Sequence, residues 1–99
     1  MHESLSNAVR HDSAHNRFAL DVDGETVFTE YRLGPGVITF YHTLTPSKLR
    51  GRGLAGIVVK AALDFARAEK LKVVPQCWYV SQYMDTHPEY QDLRAQHGL

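Results

Sequence analysis

The sequence predicts a mixed α/β domain, α+β by segregation: an antiparallel meander, then one β-α-β crossover, then C-terminal helices. Three observations carry this. Apolar residues alternate with period two through most of the stretch from Arg17 to Thr45. A glycine-rich turn, Gly51-Arg52-Gly53, then opens a helix with apolar residues at steps of three and four, Leu54 to about Glu69. An apolar run, Leu71 to Cys77, follows that helix. Strand, helix and strand in this order imply a right-handed crossover and a parallel pair.

The elements follow in chain order. Residues 1–15 read as a polar N-terminal arm, and 16–99 as the single domain that 99 residues can support. His11 and His15 lie four apart, one way to hold a metal, but no cysteine or acid sits at ligand spacing and no metal is expected. Phe18, Leu20 and Val22 alternate with polar or small residues, and Asp23-Gly24 marks a hairpin turn. The return strand, Glu25 to Leu33, has Val27, Tyr31 and Leu33 on one face, and Gly34-Pro35-Gly36 breaks it. The third strand, Val37 to Thr45, is rich in β-branched and aromatic residues, with Ile38, Phe40, His42 and Leu44 sharing a face. On the helix, Leu54, Ile57, Val58, Ala61, Phe65 and Ala68 form the inward stripe, and Lys60, Asp64 and Arg67 the wet side. Trp78 to Thr86 is a second helix, and Pro88 to Ala95 a short third.

Composition narrows the function. A 43% hydrophobic and 22% charged chain is an ordinary globular domain rather than a disordered one. Eleven basic and eleven acidic residues cancel, so nucleic acid and anionic membrane are not expected partners. No apolar run approaches the roughly 18 residues of a bilayer span, and the amino terminus has no signal-peptide core. One cysteine, Cys77, suits a reducing compartment. The expected location is cytoplasmic.

Against that neutral background, Lys48, Arg50 and Arg52 cluster around Gly51 and Gly53. A strand, a glycine turn and a helix start bring several free backbone N–H groups and the positive end of a helix dipole to one point, which attracts anions. Glycines there let a phosphate approach the backbone. The triphosphate-loop string Gly-x-x-x-x-Gly-Lys-Ser/Thr is absent. Gly51, Gly53 and Gly56 do spell the dinucleotide fingerprint, but the acidic ribose ligand expected ~20 residues on is missing, Leu71 standing there.

The stretch Lys48-Leu49-Arg50-Gly51-Arg52-Gly53-Leu54-Ala55 resembles the acetyl-coenzyme A loop of the GNAT superfamily of N-acetyltransferases, Arg/Gln-x-x-Gly-x-Gly/Ala, with Lys48 in the first place. His42-Thr43-x-x-Pro46, Ala61-Ala62-x-x-Phe65-Ala66, Cys77-Trp78-Tyr79-Val80-x-x-Tyr83 and His87-Pro88 are similar to its small single-domain branch, over roughly residues 17–95. The resemblance implies a minimal GNAT-like fold with a splayed parallel pair, and acetyl-coenzyme A as cosubstrate. It implies that Lys48 and the amides of Leu49, Arg50, Gly51, Arg52, Gly53, Leu54 and Ala55 cradle the diphosphate. Thr43, Leu44 and Thr45 would pair with the pantetheine arm, and Cys77 would end the fourth strand beside the thioester.

Acetyl transfer to an amine needs a base, a polarised carbonyl and an acid for the departing thiolate. His42 is the candidate base, the histidine inside a predicted strand; imidazole chemistry suits proton removal near neutrality. Cys77 either attacks the thioester or lines the cleft, and direct attack by the amine in a ternary complex is the usual route in this superfamily. Tyr83 aligns with the tyrosine that protonates the thiolate in relatives, with Tyr79 as the second choice. The rival reading is a binding module that holds acyl-coenzyme A as sensor or scaffold without turnover. Polyamine, small metabolite and protein amino group all stay open as acceptors, as does the oligomeric state.

Overall fold

The computed structural model describes residue 5 and residues 8–95. Five strands form one sheet in sequence order: β1 (Arg10–Asp12), β2 (Arg17–Val22), β3 (Glu25–Gly34), β4 (Val37–Leu44) and β5 (Lys72–Pro75). The first four are antiparallel and β4 pairs with β5 in parallel, which is the meander and crossover of the sequence reading. The β2–β3 hairpin turns at Asp23 (φ 52°) and Gly24 (φ 78°), two consecutive left-handed residues that match the twist of the strands. Helix α1 (Leu54–Ala68) crosses from β4 to β5, and α2 (Trp78–Thr86) follows. α1 stops in a Schellman turn: Lys70 is left-handed at φ 59°, and the Leu71 N–H returns to the Ala66 carbonyl at 2.8 Å.

Four expectations need correction. The meander has four strands, because the second half of the 1–15 arm pairs with β2, Arg10 opposite Ala19 and Asp12 opposite Arg17. Arg10–Asp21 (3.1 Å) and Arg17–Asp12 (2.9 Å) pin it, and His11 stacks on Phe18 with Nε2 2.6 Å from the Tyr31 hydroxyl. His15 Nδ1 instead meets Asp12 at 3.0 Å, so the two histidines turn to different partners. The inward face of α1 is rotated and widened relative to the expected stripe. Leu54, Ile57, Val58, Val59, Ala62, Leu63 and Ala66 are buried, while Ala68 is exposed. The helix lies across β2 and β3 rather than against a single seam, so a broader arc loses solvent. Finally, β5 ends at Pro75, two residues short of Cys77, and the third helix is a 3₁₀ turn, Pro88–Leu93. After that turn the Ala95 N–H reaches the Val73 carbonyl at 2.8 Å, covering part of the outer edge of β5.

The core lies between one face of the sheet and α1. Phe18, Leu20, Val27, Tyr31, Ile38, Phe40 and Val73 meet the buried side of the helix. Each such side chain contributes roughly 1.5–3 kcal/mol by leaving water. α2 packs beside α1 on that same face, and the seam is tight at Gly56: a Cβ there would lie 3.4 Å from the Tyr79 hydroxyl and 3.5 Å from Tyr83 Cε2. Among the described residues no helix covers the opposite face, where Arg17 lies over Phe28 and Arg32 over Tyr41.

Candidate active site

Two departures from regular sheet geometry create the site. The first is a fork. β4 and β5 pair through Val37–Lys72, Ile38–Val73, Thr39–Val74 and Phe40–Pro75, and the Cys77 N–H closes the ladder on the Phe40 carbonyl at 2.9 Å. β4 runs on to Leu44 while the other chain turns away into α2, so the edge of β4 beyond Phe40 has no strand partner on that side. The second is a β-bulge. Glu30 pairs with His42 but Tyr31 with Phe40, so Tyr41 is an extra residue in β4. A one-residue shift reverses every later side chain.

The bulge corrects the predicted face of β4. Phe40 is buried opposite Tyr31, and Thr43 comes back to that side opposite the buried Thr29. His42 is thrown to the uncovered face, exposed, with its ring 6.0 Å from Phe28. His42 and Cys77 therefore flank the fork from different sides. Cys77 faces the helices: its Sγ donates to Thr43 Oγ1 at 3.4 Å, Thr43 and Thr29 share a hydroxyl bond of 2.9 Å, and Thr29 Oγ1 donates to the His42 carbonyl at 3.3 Å. This chain ends on an acceptor, so it holds Cys77 as a thiol donor.

A groove leads from the fork to the glycine turn in two connected hollows. One, of about 320 Å³, is lined by Thr43, Leu44, Thr45, Cys77, Trp78 and Tyr79 among others. The next, of about 190 Å³, reaches Leu49, Gly51, Gly53 and Leu54; Thr45, Arg50, Ala55 and Tyr79 belong to both. Trp78, 72% exposed, stands at the rim. The strand end, the glycine turn and Cys77, named from the sequence, thus line adjoining hollows.

Within the turn the amides divide. Leu49 and Arg50 N–H already donate to Pro46 and Ser47 carbonyls (2.9 and 3.4 Å), which removes them from the predicted cradle. The N–H groups of Gly51, Arg52, Gly53, Leu54, Ala55 and Gly56 donate to no backbone acceptor among the described residues. They sit at the positive end of a 15-residue helix. Gly51 and Gly53 have φ of 80° and 73°, with open space where a Cβ would stand, so their first requirement is a left-handed backbone. The three cations also divide. Lys48 meets Glu25 at 3.5 Å and Arg52 meets Asp23 at 3.2 Å, both on the exposed β2–β3 hairpin end. Arg50 lines the groove, its Nε on the Thr45 carbonyl at 3.2 Å, with no carboxylate partner among the described residues.

Tyr83 lies outside this groove. It lines a separate hollow with Tyr79, Gln82, Thr86 and His87, and its ring stacks on His87 at 3.7 Å. Burial pushes its phenol up to about 12. Tyr79, one helical turn earlier, is the tyrosine that lines the groove, and burial raises its phenol too. The four-residue spacing of the two rings was visible in the sequence; which of them faced the fork was not.

A splayed parallel pair, an open-amide helix start and a groove joining them define an α/β domain with a cleft running from the sheet fork to the glycine turn. Residues 17–93 match the family model of GCN5-related N-acetyl-transferases, and the chain belongs to that family. Protein NATD1 of Xenopus tropicalis is 35% identical over 97 residues, covering 94% of this chain and 88% of that protein. Human Protein NATD1 is 36% identical over 89 residues, covering 86% and 78%. A GCN5-like protein from Staphylococcus aureus, solved in solution by NMR, superposes with a TM-score of 0.66 at 25% identity, covering 84% of this chain and 86% of its own.

Proposed function

We propose that this protein is an acetyl-coenzyme A-dependent N-acetyltransferase acting on a primary amine by direct attack in a ternary complex. The observation that carries the reading is the continuous groove from the open amides of residues 51–56 to the β4–β5 fork. The donor set fits a diphosphate: oriented N–H groups, a helix dipole and the Arg50 guanidinium. The apolar and hydroxyl lining toward Cys77 fits a pantetheine arm. When bound, the coenzyme supplies an acetyl thioester.

This chain's own residues then divide the work between the two sides of the sheet. His42, on the uncovered face, takes the proton of an amine arriving from that side. Tyr79, kept protonated by burial, gives a proton to the sulfur as the carbon–sulfur bond breaks and the new carbon–nitrogen bond forms. Cys77 lines the cleft as a hydrogen-bonded thiol. The single thiol suits a cytoplasmic setting, which is part of the proposal.

Calorimetry with coenzyme A and acetyl-coenzyme A tests the binding half. Thiol release with a panel of amines tests transfer. A second reading, the acyl-coenzyme A sensor or scaffold, is favoured by one fact: two of the three catalytic candidates in the sequence, His42 and Tyr83, do not line the groove. Tight binding with only slow hydrolysis for every amine would select it.

A further inference from the structure

The uncovered face of the sheet carries two charged groups beside the fork that the scheme above does not use. Glu30, on β3, is half-buried and stands directly opposite His42. Its neighbour on β2, Arg17, is committed to Asp12 at 2.9 Å. A half-buried carboxylate sheds part of its hydration, and a cation is what offsets that loss. Arg32 follows two residues on and leaves the same face. It passes over the Tyr41 ring, Cζ 4.5 Å from the centroid, to reach Gln76 Oε1 at 3.2 Å. Gln76 immediately precedes Cys77, whose N–H closes the β4–β5 ladder, so Arg32 spans the mouth of the fork. Neither Glu30 nor Arg32 has an ion-pair partner among the described residues. The bulge assembles the group, because it sets Tyr41 and His42 on one face beside them.

We propose that this face takes an amino acid as the acetyl acceptor, its carboxylate on Arg32 and its ammonium between Glu30 and His42. The inference rests on the proposed function and deepens it by naming the acceptor class. Two residues of strand separate Glu30 and Arg32 by roughly 7 Å, and both side chains are long enough to converge on one small zwitterion. A guanidinium fork matches the two oxygens of a carboxylate, a stronger acceptor than the Gln76 amide that it would displace. A diamine would bring a second cation toward Arg32, and a lysine side chain in a protein has no carboxylate near its reacting nitrogen. Glu30 draws the ammonium to His42, which takes one proton and passes it to solvent. The nitrogen then forms the carbon–nitrogen bond as the carbon–sulfur bond breaks, and its second proton offsets the one that Tyr79 gives to sulfur. Ammonium and acetyl thioester thus give amide, thiol and one proton.

The experiment measures thiol release from acetyl-coenzyme A with the common amino acids, their carboxamides, putrescine and a lysine peptide blocked at both ends. At least one amino acid should react with a kcat/KM about tenfold above that of its carboxamide, and above putrescine and the peptide. Arg32→Gln, checked for an intact amide spectrum, should erase that preference by raising KM for the acid, and Arg32→Lys should restore part of it. Glu30→Gln should raise KM for acid and carboxamide alike. In protein saturated with coenzyme A, which cannot react, the same amino acid should move the amide NMR signals of residues 30–32 and 41–42. Carboxamides that match the acids, putrescine or the peptide as the better acceptor, or a preference that survives Arg32→Gln would each overturn the acceptor class and leave the proposed function standing. No transfer to any amine, with those amides unmoved by every amino acid, would remove the acceptor site and select the sensor reading. No binding of coenzyme A at all would remove the proposed function with it.

Discussion

Replacing Gly53 by alanine separates a backbone requirement from a ligand requirement, and the structure supplies its own control. Gly53 has φ 73° and no atom within 4 Å of an added Cβ. The cost to the fold is therefore conformational. A left-handed non-glycine residue costs roughly 1–2 kcal/mol, and the stiffer unfolded chain returns about 0.4–1 kcal/mol. The net loss is about 1 kcal/mol, which lowers Tm by roughly 4–8 °C in a domain of this size. Gly36, in the β3–β4 turn, has φ 71° and equally empty surroundings, so Gly36→Ala should lose the same stability. Only Gly53 stands at the open amides, where a methyl group holds an anion off the backbone. Hydrogen bonds to a charged group contribute about 1.5–3 kcal/mol each, so coenzyme A affinity should fall at least ~10-fold in Gly53→Ala and stay constant in Gly36→Ala. Thermal melts and calorimetry on both variants are the assay. If both bind coenzyme A like the parent, the amides of the turn do not hold the diphosphate and the reasoning is refuted.

Tyr79→Phe should reduce turnover by about 10²-fold with coenzyme A affinity nearly intact, while Tyr83→Phe, which keeps its ring stack, should turn over normally; steady-state kinetics on both decides which tyrosine is the acid. Cys77→Ala should retain turnover within an order of magnitude, and intact mass after incubation with acetyl-coenzyme A should show no acetyl adduct on the parent; an adduct would establish a covalent route. The Asp12 carboxyl is held down to about 2, first by His15 and then by Arg17. A depressed acid stabilises the fold above its ordinary value near 3.8 and loses that contribution as pH falls toward 2, so acid melts should show stability dropping across this window and a shallower drop in Asp12→Asn.

Much of the fold was legible because local chemistry and tertiary packing agree. Asp23-Gly24 demanded a left-handed turn, the glycine turn demanded a helix start, and strand-helix-strand demanded a parallel pair. Segments of the site were legible for the same reason. What sequence could not show was anything decided across strands. The bulge at Tyr41 depends on the register between β3 and β4, and without it period two puts His42 on the face of Phe40. β1 was hidden because Arg10-His11-Asp12 is polar; it is held by Arg10–Asp21, Arg17–Asp12 and a ring stack, all to residues further along the chain. Whether Tyr79 or Tyr83 met the groove turned on how α2 sits against Gly56, a matter of helix azimuth rather than spacing.

The single surplus residue in β4 has a consequence for how such a protein diversifies. It places the side chains that would greet an incoming amine on a surface outside the hydrophobic interior, where most substitutions change stability by less than about 0.5 kcal/mol. The helix-side wall of the groove, by contrast, is continuous with the core through the buried Leu54 and, by way of Thr43, the buried Thr29. Mutation can thus alter one side of a one-layer sheet at little cost while the helix side stays fixed, and among relatives the two surfaces should drift at different rates.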